Sequence, residues 1–214
     1  LIYTVGVPSI VMQSITSVMT FGMNRILIMF SETAVSVLGV YFKLQSFIFM
    51  PVFGLNNGLI PIVAYNYGAA SRKRIMDTIK LGVAIAVGIM LCGLIIFQAF
   101  TPQLLGMFNA SPHMLEVGVP ALRIISLSFL FAGYCIIIGS VFQALGNGVY
   151  SLIVSVARQL LCILPLAWFF ANTWGLHAVW YSFALAELMS LTLSTLLFRG
   201  IYVKKIRGLD ARQA

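Results

Sequence analysis

Charged residues are scarce in this chain of 214 residues: only 8% are Asp, Glu, Lys or Arg. A soluble domain carries about 25%, so the composition excludes an ordinary soluble fold. Hydrophobic residues make up 61% of the sequence, and they form long runs without charge, such as 81–100. A run of roughly 20 apolar residues is long enough to cross a bilayer as a helix. The sequence therefore predicts an integral membrane protein.

Acidic residues are the rarer charge, with five Asp and Glu against 13 Lys and Arg and a formal net charge of +8. A basic balance can indicate a nucleic-acid partner. Here, however, most of the basic residues concentrate in a short loop at 69–78 and in a tail at 201–214. Short cytoplasmic segments of membrane proteins are enriched in Lys and Arg in this way. We therefore expect no nucleic-acid partner.

Cysteine is also rare, and Cys92, Cys135 and Cys162 each lie inside an apolar run. Their spacing matches no metal or redox motif, so we interpret them as small buried hydrophobic residues. The sequence also lacks paired catalytic carboxylates, a Ser/His/Asp arrangement and a phosphate-binding glycine loop. Neither a metal site nor an enzyme is expected.

The apolar runs predict an all-α membrane fold, because they are long and continuous. Strands of a membrane barrel would appear as alternating segments of about 10 residues, and helices satisfy every backbone group within lipid. We predict one six-helix lobe over 1–200, followed by a basic tail at 201–214. The predicted spans are approximately 5–29, 35–67, 79–100, 117–145, 149–170 and 175–198. Because the chain begins at Leu1 with a membrane segment, we expect it to be a piece of a longer protein.

The basic loop also predicts the orientation of the lobe. Arg72, Lys73 and Arg74 place the 69–78 loop on the cytoplasmic side, and six alternating spans place the tail there too. The opposite loops, at 31–33, 101–116 and 171–174, contain no Lys or Arg. The charge bias is therefore consistent along the whole chain.

Two charged residues lie deep in predicted spans, Arg158 in the fifth and Glu187 in the sixth. A charge at the centre of a membrane helix costs about 2.5–3.5 kcal/mol on insertion scales, so each one requires a reason. The two helices are antiparallel neighbours, which brings Arg158 and Glu187 to a similar depth. Either the two form an ion pair that holds the register of the helices, or Glu187 takes part in binding a cation or a proton.

Uncharged polar residues and one lysine complete the candidates for a substrate or ion pathway: Lys43, Gln45, Asn56, Asn57, Gln143 and Gln159. Lys43 either extends to the outer interface or lines a cavity. Asn56 and Asn57 lie between Pro51 and Pro61, which are expected to kink the second helix. A helix broken there would expose carbonyls along a water-filled path, whereas polar contacts between helices are the alternative.

Four motifs follow one another along the chain: PVFGLNNGLIPIVAYNYGA at 51–69, FQALGNG at 142–148, SLIVSVARQ at 151–159 with PL at 165–166, and GLHAVWYSFALAE at 175–187. Together they cover nearly the whole sequence. In this order and spacing they resemble the C-terminal half of a multidrug and toxic compound extrusion (MATE) transporter, of the bacterial multidrug-efflux or DNA-damage-inducible branch.

The resemblance implies a transporter of twelve helices in two six-helix lobes, of which this chain would be the second. Its partners would be the N-terminal lobe of the same protein, small-molecule substrates and membrane lipid. Drugs and other organic compounds, often cations, would leave through a cavity that opens alternately to each side of a bacterial or archaeal plasma (inner) membrane. Na⁺ or H⁺ would drive this antiport, without a covalently bound cofactor, and the sequence does not decide between the two ions.

The distribution of acidic residues in this sequence differs from that in some members of the family. Some members carry acidic residues on the first and fourth helices of the second lobe, whereas 5–29 and 117–145 contain no Asp or Glu here. That difference leaves Glu187 as the only deeply placed carboxylate.

Three other functions compete with that of a drug exporter. A flippase for lipid-linked oligosaccharides would need several basic residues at membrane depth, and only Lys43 and Arg158 qualify. A membrane-embedded enzyme would need reactive side chains that converge at one depth, and the sequence offers no such set. A structural membrane subunit without a transport role stays open at this point.

Overall fold

The chain folds almost entirely into helices in the computed structural model, which describes residues 2–209. No strand occurs in that range. The α-helices in chain order are α1 (Ile2–Ile28), α2 (Glu32–Gly68), α3 (Arg72–Ala99), α4 (Thr101–Gly106), α5 (Pro112–Ser126), α6 (Phe129–Ala144), α7 (Gly148–Val156), α8 (Leu164–Thr173), α9 (Leu176–Val179) and α10 (Tyr181–Ile201). Two π-helical segments, Ala157–Ile163 and Tyr202–Ile206, join or extend them.

Four helical stretches in the described part of the chain are long and apolar enough to cross a membrane: Glu32–Gly68, Arg72–Ala99, Gly148–Thr173 and Leu176–Ile206. The bent pair of α5 and α6 makes a fifth if it is one span. With 27 residues, α1 is also of spanning length. The prediction of an all-α membrane fold is therefore confirmed.

The second predicted span is one continuous helix, so of the two alternatives for Asn56 and Asn57 the structure does not support a broken helix. Every residue of the 37-residue α2 is helical, and Pro51 and Pro61 both lie inside it. A proline removes one hydrogen bond of the ladder, and the remaining bonds and the packing of α2 hold the helix together. At 1.5 Å per residue α2 is about 55 Å long, well beyond the thickness of a bilayer core.

The basic loop predicted at 69–78 is shorter in the structure. Only Ala69–Ser71 separates α2 from α3, and Arg72 to Thr78 form the first turns of α3. The prediction was wrong because Arg and Lys are good helix formers, and no residue between 72 and 78 interrupts a helix. Ala70 makes the reversal of direction in the left-handed region, with φ of 53°.

The fourth predicted span bends by 48° at Leu127 and Ser128, between α5 and α6. In a straight helix the amide of Leu127 would bond to the carbonyl of Arg123, but here it bonds to the carbonyl of Ile124 at 3.2 Å. The Gln98 Nε2 group of α3 donates to the freed Arg123 carbonyl at 2.8 Å. A side chain that enters the backbone ladder is a recognised cause of a kink.

We expect Gln98→Leu to destabilise the lobe by about 1 kcal/mol, because it removes a donor to a backbone carbonyl that has no ladder partner. The Ser126 hydroxyl also donates to that carbonyl, at 2.9 Å, which limits the loss. Unfolding of the purified protein in a denaturing-detergent titration measures the change. Gln103→Leu is the matched control, since Gln103 is exposed on α4. Equal effects of the two changes would refute the role of Gln98 in the bend.

The predicted tail begins as a helix that is packed against the lobe. The Tyr202 hydroxyl accepts a hydrogen bond from the Arg72 guanidinium, and Lys205 Nζ donates to the Leu145 carbonyl at 2.8 Å. Ile206 and Leu209 are buried. Residues 202–209 are thus bound to the ends of α2–α3 and α6, while residues 210–214 lie outside the described range.

Aromatic rings from four helices form the centre of the lobe. Tyr41 of α2 meets Phe97 of α3 and Phe183 of α10 edge to face, with ring centroids 6.4 and 6.1 Å apart. Phe129, at the start of α6, packs against Phe97 and Phe49 at 5.2 and 5.3 Å. This cluster supports the bend and holds α2, α3, α6 and α10 at fixed distances from one another.

Candidate functional site: an ion pair between two cavities

Arg158 and Glu187 form the ion pair that their depth in the sequence predicts. Arg158 Nη1 lies 3.0 Å from Glu187 Oε2. The Glu187 side chain is 6% exposed, whereas the Arg158 side chain is 34% exposed. The hypothesis of pairing is confirmed, and it joins α10 to the π-helical segment that follows α7.

The π-helical segment that carries Arg158 ends immediately before α8, whose second residue is a proline. Pro165 has no N–H and its ring crowds the carbonyl four residues earlier, at Leu161. A π-helical stretch, with hydrogen bonds that span five residues, places the preceding turns differently from an α-helix, and such stretches are frequent at functional sites. The segment Ala157–Ile163 therefore places the Arg158 and Gln159 side chains differently from the α-helix that the sequence predicts.

Two half-open cavities share the ion pair in their linings. The first has a volume of about 410 Å³ and the second about 230 Å³. Six residues line both cavities: Met12, Phe49, Phe53, Ser155, Arg158 and Glu187. The pair therefore lies at the point where the two cavities meet.

The first cavity combines an aromatic wall with several polar groups. Five aromatic residues line it: Tyr41, Phe42, Phe49, Phe53 and Phe183. Its polar side chains, apart from the ion pair, are Thr16, Gln45, Ser46, Ser128, Ser155 and Gln159. Small-molecule sites typically enclose about 300–1,000 Å³ with apolar walls and few polar groups. The first cavity thus has the size and lining of a site for a drug-sized organic molecule.

The second cavity is smaller, and apart from the ion pair four of its six polar side chains are serines. Ser140, Ser151, Ser155 and Ser190 line it together with Asn56 and Gln143. The Asn56 Oδ1 atom is buried and has no hydrogen-bond partner. Buried acceptors are usually paired with a donor from the protein or from ordered water. The serine and amide side chains give the second cavity a polar lining.

Four of the remaining predicted residues line a cavity, and two do not. Gln45 and Gln159 line the first, and Asn56 and Gln143 line the second. Lys43 and Asn57 line neither and are exposed elsewhere on α2. Lys43 instead lies over the Phe108 ring, at 5.8 Å from its centroid.

Helical periodicity explains why α2 contributes some of its polar residues and not others. Phe42, Gln45, Phe49, Phe53 and Asn56 follow one another at spacings of three or four, which places them on one face. Lys43 and Asn57 each come one residue later than a member of that face, and one residue rotates the side chain by about 100°. This rotation accounts for the absence of Lys43 and Asn57 from the lining, although Ser46, one residue after Gln45, lines the first cavity as well.

Sequence reasoning missed the hydroxyl groups of the cavities. Ser155 is three residues before Arg158, so the α-helical repeat would have indicated it. The sequence gives no such signal for Ser128, because only the bend between α5 and α6 places it in the lining of the first cavity. Within the part of the chain that the structure describes, no three His, Cys, Asp or Glu side chains converge to hold a metal ion.

Comparison with known proteins finds a family model and several relatives that match this chain. The model of the MatE family matches residues 8–169. The multidrug export protein MepA of Staphylococcus haemolyticus is 27% identical over 187 residues, which cover 87% of this chain and 41% of that protein. MepA of Staphylococcus aureus is 25% identical over 188 residues, with the same coverage. The chain thus spans about two fifths of the length of these relatives.

Solved structures show the same fold. A multidrug resistance MATE family transporter of the MOP superfamily, in an outward-facing conformation, superposes with a TM-score of 0.88 at 23% identity. The match covers 98% of this chain and 47% of that one. A MATE transporter of Vibrio cholerae gives a TM-score of 0.88 at 18% identity, over 94% of this chain and 46% of that one. With the fold shared and the family model matched over residues 8–169, the chain belongs to the MatE family.

Proposed function

We propose that this chain is the C-terminal lobe of a secondary active transporter that exports drugs and other organic compounds, often cations, in exchange for Na⁺ or H⁺. The observation that carries the proposal is the position of the Arg158–Glu187 pair at the junction of two half-open cavities. Membership of the MatE family supports it, as do the names of the relatives. The partner in transport would be an N-terminal lobe of the same protein.

The buried carboxylate offers a physical link between the ion and the packing of the lobe. A proton or a Na⁺ ion at Glu187 would compete with Arg158 for the carboxylate oxygens. Loss of the pairing would loosen α10 from the π-helical segment, and so ion binding would favour one arrangement of the lobe over another. Alternating access requires such a difference between two states.

The proposed orientation in the inner membrane follows from charge. Lys73 and Arg74 at the start of α3 and Lys204 after α10 are exposed. The hydrogen bond between Arg72 and Tyr202 shows that these two basic regions lie at the same end of the lobe. An excess of Lys and Arg at one end supports a cytoplasmic location for that end.

A drug exporter is favoured over an oligosaccharide-lipid flippase by the lining of the cavities. Arg158 is the one basic residue among the described side chains that line the two cavities on either side of the pair, and it is bound to Glu187. A charged lipid head group would need more free basic side chains than this. The wide aromatic wall suits an apolar molecule instead.

The test is dye accumulation in cells that express the full-length protein. We expect lower accumulation of ethidium or rhodamine B than in empty-vector cells, and recovery when the proton or the sodium gradient is collapsed. The gradient whose collapse restores accumulation names the coupling ion. If neither dye nor the ethyl ester of rhodamine B is exported while the protein is present in the membrane, the proposal is wrong.

A pair of variants on α2 tests whether the first cavity is the pathway. Gln45→Trp fills space in the cavity, so we expect export to fall roughly tenfold at unchanged protein level, as for a substrate that loses its fit in the site. Phe47→Trp is the matched control, because Phe47 is 72% exposed on the same helix and lines neither cavity. Equal export by the two variants would place the substrate elsewhere.

A further inference from the structure

A third cavity lies between α2 and α3 and shares no lining residue with the other two. It is an open groove of about 340 Å³. Six exposed or half-buried residues form its walls: Gly54, Gly58 and Ile62 on α2, and Thr78, Leu81 and Ile85 on α3. The groove is therefore separate from the proposed transport pathway.

The lining of the groove is apolar. Thr78 is the one polar side chain among the described residues that line it, and its hydroxyl already donates to the Arg74 carbonyl at 2.8 Å. A polar group that entered the groove would lose water and gain no side-chain partner, which is costly. A hydrocarbon chain has no hydrogen bonds to lose and fits such a surface.

Glycine residues give the groove its shape. No side chain and no backbone atom of another element lies within 4 Å of the Cβ position at Gly54 or Gly58. A Cβ atom at Gly82 would instead collide with the Leu59 side chain, so α2 and α3 approach each other closely at the floor of the groove. At 1.5 Å per residue the lining runs for about 10 Å along the helices. A slot of this form accommodates part of one acyl chain.

A guanidinium and a phenol hydroxyl lie at the end of the groove that is nearest to the α2–α3 turn. Four residues at spacings of four, three and four share the groove-lining face of α3: Arg74, Thr78, Leu81 and Ile85. Arg74 is exposed, and among the described residues its side chain forms no ion pair. Tyr65 is 74% exposed and lies on α2 one turn beyond the groove. Tyrosine is enriched at the depth of lipid head groups.

The charge around this end of the groove is positive. The first nine residues of α3 contain four basic side chains, those of Arg72, Lys73, Arg74 and Lys80, and one acidic side chain, that of Asp77. Basic segments at a membrane surface attract anionic lipids. The end of the groove therefore favours a lipid with a net negative head group.

The groove opens on the opposite side of α2 from the other two cavities. Gly58 and Ile62 come nine residues after Phe49 and Phe53, which line both of those cavities. Nine residues rotate a side chain by about 180°. A second lobe that closes the half-open cavities would lie on the side of Phe49 and Phe53, and the groove is then left open to lipid.

We propose that the groove between α2 and α3 binds an acyl chain of an anionic phospholipid, and that Arg74 and Tyr65 bind the phosphate group of the same lipid. A guanidinium can bond to two oxygens of a phosphate at once, and the tyrosine hydroxyl can donate to one more. The site goes beyond the proposed export function and does not depend on it. The proposed orientation of the lobe places the lipid in the cytoplasmic leaflet.

Native mass spectrometry of the purified full-length protein tests the site. Phosphatidylglycerol and phosphatidylethanolamine with the same acyl chains are titrated into the detergent solution, and the mass of the complex identifies the bound lipid. Only folded protein is counted, so the ratio of the two apparent dissociation constants does not depend on how much of a variant folds. We expect the wild-type protein to favour phosphatidylglycerol, because its head group lacks the ammonium group that basic residues repel.

Two pairs of variants separate the contact with the phosphate from the contact with the chain. Arg74→Gln should weaken phosphatidylglycerol binding roughly tenfold, as for the loss of a charged hydrogen bond. Lys73→Gln is its control, since Lys73 is exposed at the same depth on another face of α3. Gly58→Leu fills the groove and should weaken the binding of both lipids. Gly39→Leu is the matched control on α2, because its Cβ position is equally open and lies outside the groove.

Each outcome decides the question. Equal weakening by Arg74→Gln and Lys73→Gln would overturn the inference, because the lipid would then respond only to the overall charge. Equal binding by the two leucine variants would overturn it as well, since the chain would then lie elsewhere. If the wild-type protein binds neither lipid and Gly58→Leu lowers its thermal stability, another part of the protein covers the groove and the inference is wrong.

Discussion

Glu187→Gln is expected to destabilise the protein by roughly 2 kcal/mol, less than the cost of breaking a fully buried ion pair, because the Arg158 side chain is 34% exposed and partly screened by solvent. The change leaves the Arg158 guanidinium without its carboxylate at a depth where an unpaired charge is costly. A guanidinium stays protonated, so Arg158 cannot remove its unpaired charge by losing a proton. The free energy of unfolding, measured by denaturing-detergent titration of the full-length protein, reports the loss.

The double variant Arg158→Gln/Glu187→Gln should be more stable than Glu187→Gln alone, because it removes the unpaired charge and leaves two amides. A thermodynamic cycle with both single variants gives the interaction energy directly. If the effects of the two single changes simply add in the double variant, the contact of 3.0 Å contributes nothing to stability. In that case the pair would have to be retained for transport alone.

Gly133→Ala is expected to destabilise the lobe by about 2 kcal/mol, the range of an overpacked core. A Cβ atom at Gly133 would lie 3.0 Å from three backbone atoms of Ala86 and Val87. Those atoms belong to the α3 backbone, so a change of side-chain rotamer cannot relieve the close contact. Either α3 or α6 must shift instead. Thermal unfolding of the purified protein measures the effect.

Gly139→Ala is the control on the same helix. No side chain and no backbone atom of another element lies within 4 Å of the Cβ position at Gly139. Alanine is a better helix former than glycine by about 0.8–1.0 kcal/mol. We therefore expect this variant to be as stable as the wild type or slightly more so. Equal destabilisation by the two changes would show that the close approach of α3 and α6 is not what limits residue 133.

The two stability predictions bear on the cavities as well as on the fold. Gly133 sets the distance between α6 and α3, and the bend that precedes it brings Ser128 to the first cavity. The Arg158–Glu187 ion pair joins the π-helical segment Ala157–Ile163 to α10, and both elements also line the first cavity. A variant that loosens either contact should alter dye export even where it leaves the protein in the membrane, because both contacts shape the same cavity.

The sequence by itself determined the features that depend on composition and on position along a span. Long uncharged runs have one stable form in lipid, a helix, so the all-α membrane fold followed directly from them. The ion pair was also accessible, since two antiparallel neighbouring helices bring Arg158 and Glu187 to matching depths. The polar face of α2 was within reach too, because residues at a spacing of three or four share a face.

Only the tertiary structure decided where those helices bend, how they begin and what their polar faces enclose. The bend at Ser128 depends on Gln98, which belongs to another helix and donates to the Arg123 carbonyl. The continuity of α2 through Pro51 and Pro61 depends on packing that local propensity does not contain. The Arg158 side chain is more exposed than the Glu187 side chain because of the cavities that the pair lines. A cavity exists only between elements that the fold has brought together, so this difference is not visible in the sequence.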